Sequence, residues 1–130
     1  MSQSLNYKDL PVVQRAFQLV QAVHEFVKML PSTPQGRTIG DQIFRSATSI
    51  GANIAEGVGR GSYQDSRRFV RTARGSLNET QHWLRRAYVR KLLKEEQVAS
   101  LKAILDELAP RLNAYLKSIG KANERLPTDN

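Results

Sequence analysis

Between Arg60 and Lys94 the chain carries ten cations and two acids, Asp65 and Glu79. Eight of those cations are arginines: Arg60, Arg67, Arg68, Arg71, Arg74, Arg85, Arg86 and Arg90. The guanidinium group is a planar fork of donors that fits phosphate and carboxylate oxygens, and it sheds water more readily than an ammonium. Residues 1–59 have a net charge of +1 and residues 95–130 of −1, so this segment holds essentially the whole formal charge of +8. Like charge at that density repels itself unless a partner neutralises it. At ~100° per helical residue, Arg67, Arg71, Arg74 and Arg85 fall within about 60° of one another on the side opposite the apolar residues, with Arg68 and Arg86 flanking them. With Arg60 they form a candidate surface for RNA or DNA, whose phosphates release counterions when neutralised. Aromatic residues for stacking on bases are few (Tyr63, Trp83, Tyr88). Contact with backbone and shape is therefore expected, not sequence-specific reading of a single strand. The competing expectation is a protein–protein module, in which the arginines pair with acids of a neighbouring copy or of an acidic partner protein.

A second pattern is polar. Gln42, Ser46, Ser49, Asn53, Glu56 and Arg60 recur at spacings of 4, 3, 4, 3 and 4, a line running beside an isoleucine stripe. Ala47, Gly51, Ala52 and Ala55 surround it, and small residues let two backbones approach closely. Polar groups on such a face need partners once buried. The stripe is expected to make a helix–helix or subunit contact in which Asn53 and Glu56 fix register, with Glu56 pairing to an arginine of the third helix.

Catalytic chemistry finds little support. There is no Cys, which excludes disulfides, thiolate zinc sites, iron–sulfur clusters and Cys nucleophiles. Glu79-x-x-His82 has the spacing of a di-iron bundle ligand pair, but the other histidine, His24, follows Gln21 where the second pair needs Glu. Gly57-Val-Gly-Arg-Gly61 follows a helix and lacks a Gly-Lys-Ser/Thr ending, so it reads as a turn and not a phosphate loop. No enzyme, metal or cofactor is expected. The N-terminus shows no apolar run, and no stretch approaches the ~18–20 apolar residues of a membrane span. A soluble, cytoplasmic protein is expected.

Four elements must position these residues. The 130-residue length suits one domain, and 40% hydrophobic with 25% charged residues is a globular composition. The first helix is expected from Pro11 to Leu30, capped by Asp9, with Val13, Ala16 or Phe17, Val20, Val23, Val27 and Leu30 on its apolar side. Pro31 to Gly36 reads as a loop. The second helix runs from Arg37 to Val58 and the third from Ser62, its cap, to Lys91. The fourth runs from Lys94 to Ile119, and Pro110 should kink or split it. Its stripe of Val98, Leu101, Leu105, Leu108, Leu112, Tyr115 and Ile119 alternates steps of three and four, a coiled-coil-like period. The expected fold is all-α, an antiparallel up-down four-helix bundle over residues 11–119. Residues 1–10 form a lead-in and 120–130 a flexible tail.

The segment Gln42-Ile-Phe-Arg-Ser-Ala-Thr-Ser-Ile-Gly-Ala-Asn-Ile-Ala-Glu-Gly57, followed by Gly59-Arg60 and by Phe69-Val-Arg-Thr-Ala-Arg-Gly-Ser-Leu-Asn-Glu79, resembles the four-helix bundle proteins encoded in intervening sequences of bacterial 23S ribosomal RNA genes. Tyr7-Lys-Asp-Leu and Val13-Gln-Arg-Ala16 extend the likeness, which covers about residues 7–119. Gly51 stands where that family typically has Pro, a departure that loosens the second helix. The resemblance implies an up-down bundle assembling as a ring-shaped homopentamer. It is similar to the accessory variability protein of diversity-generating retroelements, whose basic pentameric barrels bind nucleic acid and a reverse transcriptase. Carried over, Asn53 and Glu56 are signature residues, and Arg60, Arg71 and Arg74 belong to a basic surface. For the ribosomal members the resemblance implies fold and assembly far more than a molecular role.

Overall fold

The computed structural model describes residues 10–120, which form helices α1 (Pro11–Lys28), α2 (Pro34–Val58), α3 (Tyr63–Val89) and α4 (Glu95–Ser118), with no strand among them. Apart from Leu10 and Gly120, the expected lead-in and tail lie outside the described residues.

Each helix end has a local cause. α1 starts on Pro11, whose missing N–H sits where no intrahelical partner exists. Its cap position is Leu10, which offers no side-chain acceptor; Asp9 lies outside the described residues. α2 begins three residues earlier than expected. Thr33 caps it by accepting the Gly36 N–H at 3.1 Å, and Pro34 fills the first turn, so the supposed loop supplies the start signal. Ser62 caps α3 by accepting the Asp65 N–H at 3.1 Å, and Asp65 faces the positive end of the helix dipole.

α3 ends at Val89, and the turn after it closes through Lys91 with φ 61°. The Leu92 N–H donates to the Ala87 carbonyl at 2.8 Å and the Lys91 N–H to the Tyr88 carbonyl at 2.9 Å. This is the double bond of a Schellman terminus, with lysine in the left-handed position that glycine usually fills. At α4 the Lys94 N–H is taken up by Gln97 Oε1 at 2.8 Å. Pro110 does not split α4: the helix is uninterrupted, Pro110 is exposed, and Leu105, Leu108 and Leu112 around it are buried. Burial of that stripe outweighs the one lost backbone bond.

One core runs through all four helices. It gathers Val13, Ala16, Leu19, Val23 and Phe26 with Ile39, Ile43, Ala47, Ile50 and Ile54, then Val70, Ala73, Leu77 and Leu84 with Leu101, Leu105, Leu108 and Leu112. The apolar stripe of α1 is rotated from its expected line. Phe17 is exposed and Val20, Val27 and Leu30 are only partly buried, whereas Leu19 and Phe26 are inside. α1 packs against both α2 and α4, so its inward direction falls between two neighbours. α3 likewise packs against α2 and α4, and the α2–α3 contact is the most extensive of the four.

Arg15 of α1 and Glu107 of α4 pair at 2.6 Å across that seam, and Arg111 holds the same carboxylate at 2.9 Å. The hydrogen bonds from Arg111 and then Arg15 pull the Glu107 carboxyl below its ordinary range. A carboxyl with a depressed folded-state pKa adds stability above its unfolded pKa and loses it as pH falls through the folded one. Glu107→Gln is therefore expected to lower the thermal midpoint at neutral pH, with the gap from the unsubstituted protein closing below the usual carboxylate range. Thermal scans across pH 2–8 check this. Lys91→Gly removes the left-handed strain and is expected to stabilise the fold by about 0.5–1 kcal/mol, measured by denaturant unfolding.

Candidate nucleic-acid interface

What seats α3 on α2 is a row of short side chains. Ser46 is buried, with Thr80 Oγ1 2.9 Å from its hydroxyl. Thr80 itself is fully buried and also lies 2.8 Å from the Ser76 carbonyl. Ser49 Oγ is 2.8 Å from Ser76 Oγ, and the Ser66 hydroxyl donates to the Gly57 carbonyl at 2.7 Å. A Cβ on Gly57 would sit 3.1 Å from the Ser66 carbonyl oxygen and 3.2 Å from Phe69 Cβ, so a side chain here would wedge the helices apart. Short hydroxyls serve this seam because they satisfy one another without needing space between the backbones.

The polar stripe of α2 therefore makes a helix–helix contact within the chain through Ser46 and Ser49. The two residues expected to set register do not cross to α3. Asn53 donates to the carbonyl of Ser49 on its own helix at 2.8 Å. Glu56 pairs with Arg60, four residues on, at 2.7 Å and not with an arginine of α3, because the nearer cation is held by the same turn of chain. Gln42 is half-buried beside Thr38 and Asp41. The α3 half of the seam was missed. Ser66, Ala73, Ser76, Thr80 and Ala87 recur at 7, 3, 4 and 7, a small-residue line that a search for a complement to the α2 line would have found.

With one flank of α3 occupied by hydroxyls and another by the core, the arginines divide into three groups. Arg67, Arg71, Arg74 and Arg85 do not lie opposite the apolar side as a set. Arg67 is half-buried and donates through Nη1 to the Ile119 carbonyl at the end of α4 (2.8 Å). Arg74 donates through Nη1 to Asn113 Oδ1 of α4 at 3.2 Å. These two point along the α3–α4 seam, because the core-facing arc of α3 is displaced toward α2. Arg60 and Arg68 clasp Phe69, each guanidinium carbon 4.6 Å from the ring centroid. Each also has a carboxylate of its own chain, Glu56 at 2.7 Å and Asp65 at 3.4 Å.

Arg71, Arg85 and Arg86 are the third group, joined by Arg90, which is not part of the expected stripe and follows the last residue of α3. All four are exposed, and among the described residues none has a carboxylate within salt-bridge distance. Arg85 stands beside an apolar cleft of about 340 Å³ between α3 and α4, lined by Leu84, Leu93, Leu101 and Leu105. Arg86 and Arg90 flank an open groove of about 470 Å³ between the start of α2 and the end of α3, with Trp83 in its wall.

Among the described residues no three His, Asp or Glu side chains converge as a metal site would require. His82 instead stacks edge-on with Trp83 at 4.8 Å, and His24 lies 5.7 Å from Phe44. No described helix is long and apolar enough to cross a membrane.

A family model described as 23S rRNA-intervening sequence protein matches residues 8–114. Among solved structures, the chain is similar to a protein of unknown function from the S23 ribosomal protein family of Bacteroides thetaiotaomicron VPI-5482. Identity is 27% and the TM-score 0.76, over 82% of this chain and 99% of that one. No curated protein matches the chain.

The hydroxyl seam gives a direct test. Thr80→Val keeps the volume but deletes the oxygen shared with Ser46 and Ser76, and is expected to destabilise the fold by about 1–3 kcal/mol in denaturant titration. Ser118→Ala, at an exposed hydroxyl, should stay within about 0.5 kcal/mol.

Proposed function

The chain belongs to the 23S rRNA-intervening sequence protein family, and from that premise we propose that it is a non-enzymatic, oligomeric four-helix bundle that binds RNA or DNA through phosphate contacts from α3, as an adaptor. The observation that carries this reading is the group of Arg71, Arg85, Arg86 and Arg90, exposed and without a carboxylate partner among the described residues. Among the described residues nothing neutralises these four guanidinium groups on one helix and the turn after it, and a polyanion would supply that charge.

The up-and-down antiparallel arrangement of a single domain over 11–119 is part of the same reading. It is supported by contacts whose numbers run in opposite directions: Ser46 with Thr80 and Gly57 with Ser66, Arg67 with Ile119 and Arg74 with Asn113, Arg15 with Glu107 and Met29 with Gln97. Self-association is supported by the outer surface of α1 and α2. Phe17 is 46% and Phe44 36% exposed there, more aromatic surface than a lone bundle needs to leave in water. The homopentameric ring rests on the resemblance, and a cytoplasmic location accords with a nucleic-acid partner. A ring would multiply the field of each protomer through avidity.

One observation favours a second reading. The apolar cleft beside Arg85 would suit an apolar side chain of an acidic partner protein, with Arg85 as the cation, since Lys102 at the same cleft is paired with Asp106 at 2.8 Å.

The test is charge reversal at arginines that have no carboxylate partner among the described residues. Arg71→Glu/Arg85→Glu/Arg86→Glu is expected to weaken binding of mixed RNA and DNA at ~50 mM salt by roughly 100-fold or more while leaving particle size unchanged. Light scattering and fluorescence anisotropy read the two. The reading fails if the unsubstituted protein associates with neither polymer. It also fails if the reversal dissociates the oligomer and nucleic-acid binding is untouched, since the arginines would then serve subunit contacts.

A further inference from the structure

We infer that the groove between the start of α2 and the end of α3 is a pocket for one unpaired nucleotide of a single strand, its base against Trp83 and its phosphate on Arg86 and Arg90. The inference rests on the proposed reading of α3 and names the kind of nucleic acid that this part of it takes. Trp83, Arg86 and Arg90 are spaced by three and four, which stacks them along one line at the helix end. Pro34, Gln35, Thr38 and Ile39 form the opposite wall. The groove therefore holds the three things a nucleotide asks for: an aromatic side chain, the hydrogen-bonding side chains of Gln35 and Thr38, and two cations.

Contacts within α3 set the direction of the site. The indole N–H donates to Glu79 Oε2 at 3.3 Å, which ties the ring to its own helix. Glu79 is the acid of the site, and it lies one turn before Trp83, on the side away from Arg86 and Arg90. A phosphate is thus directed to the far end of the groove, where Arg86 and Arg90 have no carboxylate partner among the described residues. The volume of about 470 Å³ falls within the ~300–1,000 Å³ of small-ligand sites, and the groove is open to solvent, as entry from a polymer requires. A paired base has both faces stacked on its neighbours, so a duplex cannot use the indole without extruding a nucleotide. Stacking is tolerant of sequence because every base presents a π-face. The pocket accordingly selects for single strands, not for a sequence.

Trp83 is the chain's one tryptophan, so its emission reports on this groove alone. The full chain is titrated with an unlabelled mixed-sequence 12-nucleotide RNA, the matching DNA strand, the duplex of that DNA and inorganic tripolyphosphate, with anisotropy of labelled counterparts of the three nucleic acids run in parallel. The expected result is saturable quenching of Trp83 by the single strands, tracking the anisotropy change, and none with the duplex or tripolyphosphate. Arg86→Gln/Arg90→Gln, at exposed positions, should weaken single-strand binding about tenfold or more and reduce quenching at a given concentration. Trp83→Phe, which keeps an aromatic ring, should lose less affinity than Trp83→Leu, expected about tenfold weaker. Single strands that bind by anisotropy with unchanged Trp83 emission would overturn the pocket and leave the phosphate-binding reading standing. Quenching by tripolyphosphate equal to that of the RNA would overturn the stacking part in the same way. Absence of any anisotropy change with all three nucleic acids would remove both.

Discussion

Everything distinctive about this bundle follows from how close α3 is allowed to come to α2. The two helices touch through hydroxyls and a glycine: Ser46 with Thr80, Ser49 with Ser76, Ser66 with the carbonyl of Gly57. Large side chains on that seam would push the helices apart, and apolar small ones would leave the contact without directional bonds. A buried hydroxyl is costly when it has no partner, so each of these oxygens specifies the rotation of its helix as well as its distance. That rotation determines which way every other residue of α3 points.

The electrostatics inherit that geometry. α3 cannot turn its arginines inward, since its inward arc holds Val70, Ala73, Leu77 and Leu84. Arg67 and Arg74 fall at the edge of α4 and become structural, one closing the α4 terminus through Ile119 and the other reaching Asn113. Arg60 and Arg68 fall around Phe69 and are half-neutralised by Glu56 and Asp65. What remains exposed and, among the described residues, without a side-chain partner is Arg71, Arg85, Arg86 and Arg90. A helix this basic therefore divides its cations between holding the bundle together and facing outward. Only the second set bears on the proposed partner.

Much of this was legible in the sequence because it depends on period and punctuation. The isoleucines of α2 and the leucines of α4 mark buried stripes, and the break after Val58 falls where glycines cluster. Three things were not legible, each for a physical reason. The start of α2 hid inside Pro31–Gly36, since Thr33-Pro34 serves equally as loop and as cap with first turn. The end of α3 lacked its usual signal because Lys91 takes the left-handed position. The fates of Glu56, Arg67 and Arg74 depended on which neighbour a long side chain meets, and spacing along one helix says nothing of the helix beside it. The charge segment located the candidate surface, but only packing could divide it.

The central claim, that α3 presents guanidinium groups awaiting phosphate, is tested most directly by the salt dependence of duplex DNA binding. Each neutralised phosphate contributes about −0.9 to the slope of log affinity against log salt. Four outward arginines per protomer predict a slope of about −3 or steeper. An affinity that stays flat between roughly 50 and 200 mM salt, or no affinity at either, would contradict the account and leave the arginines of α3 without a polyanion to serve.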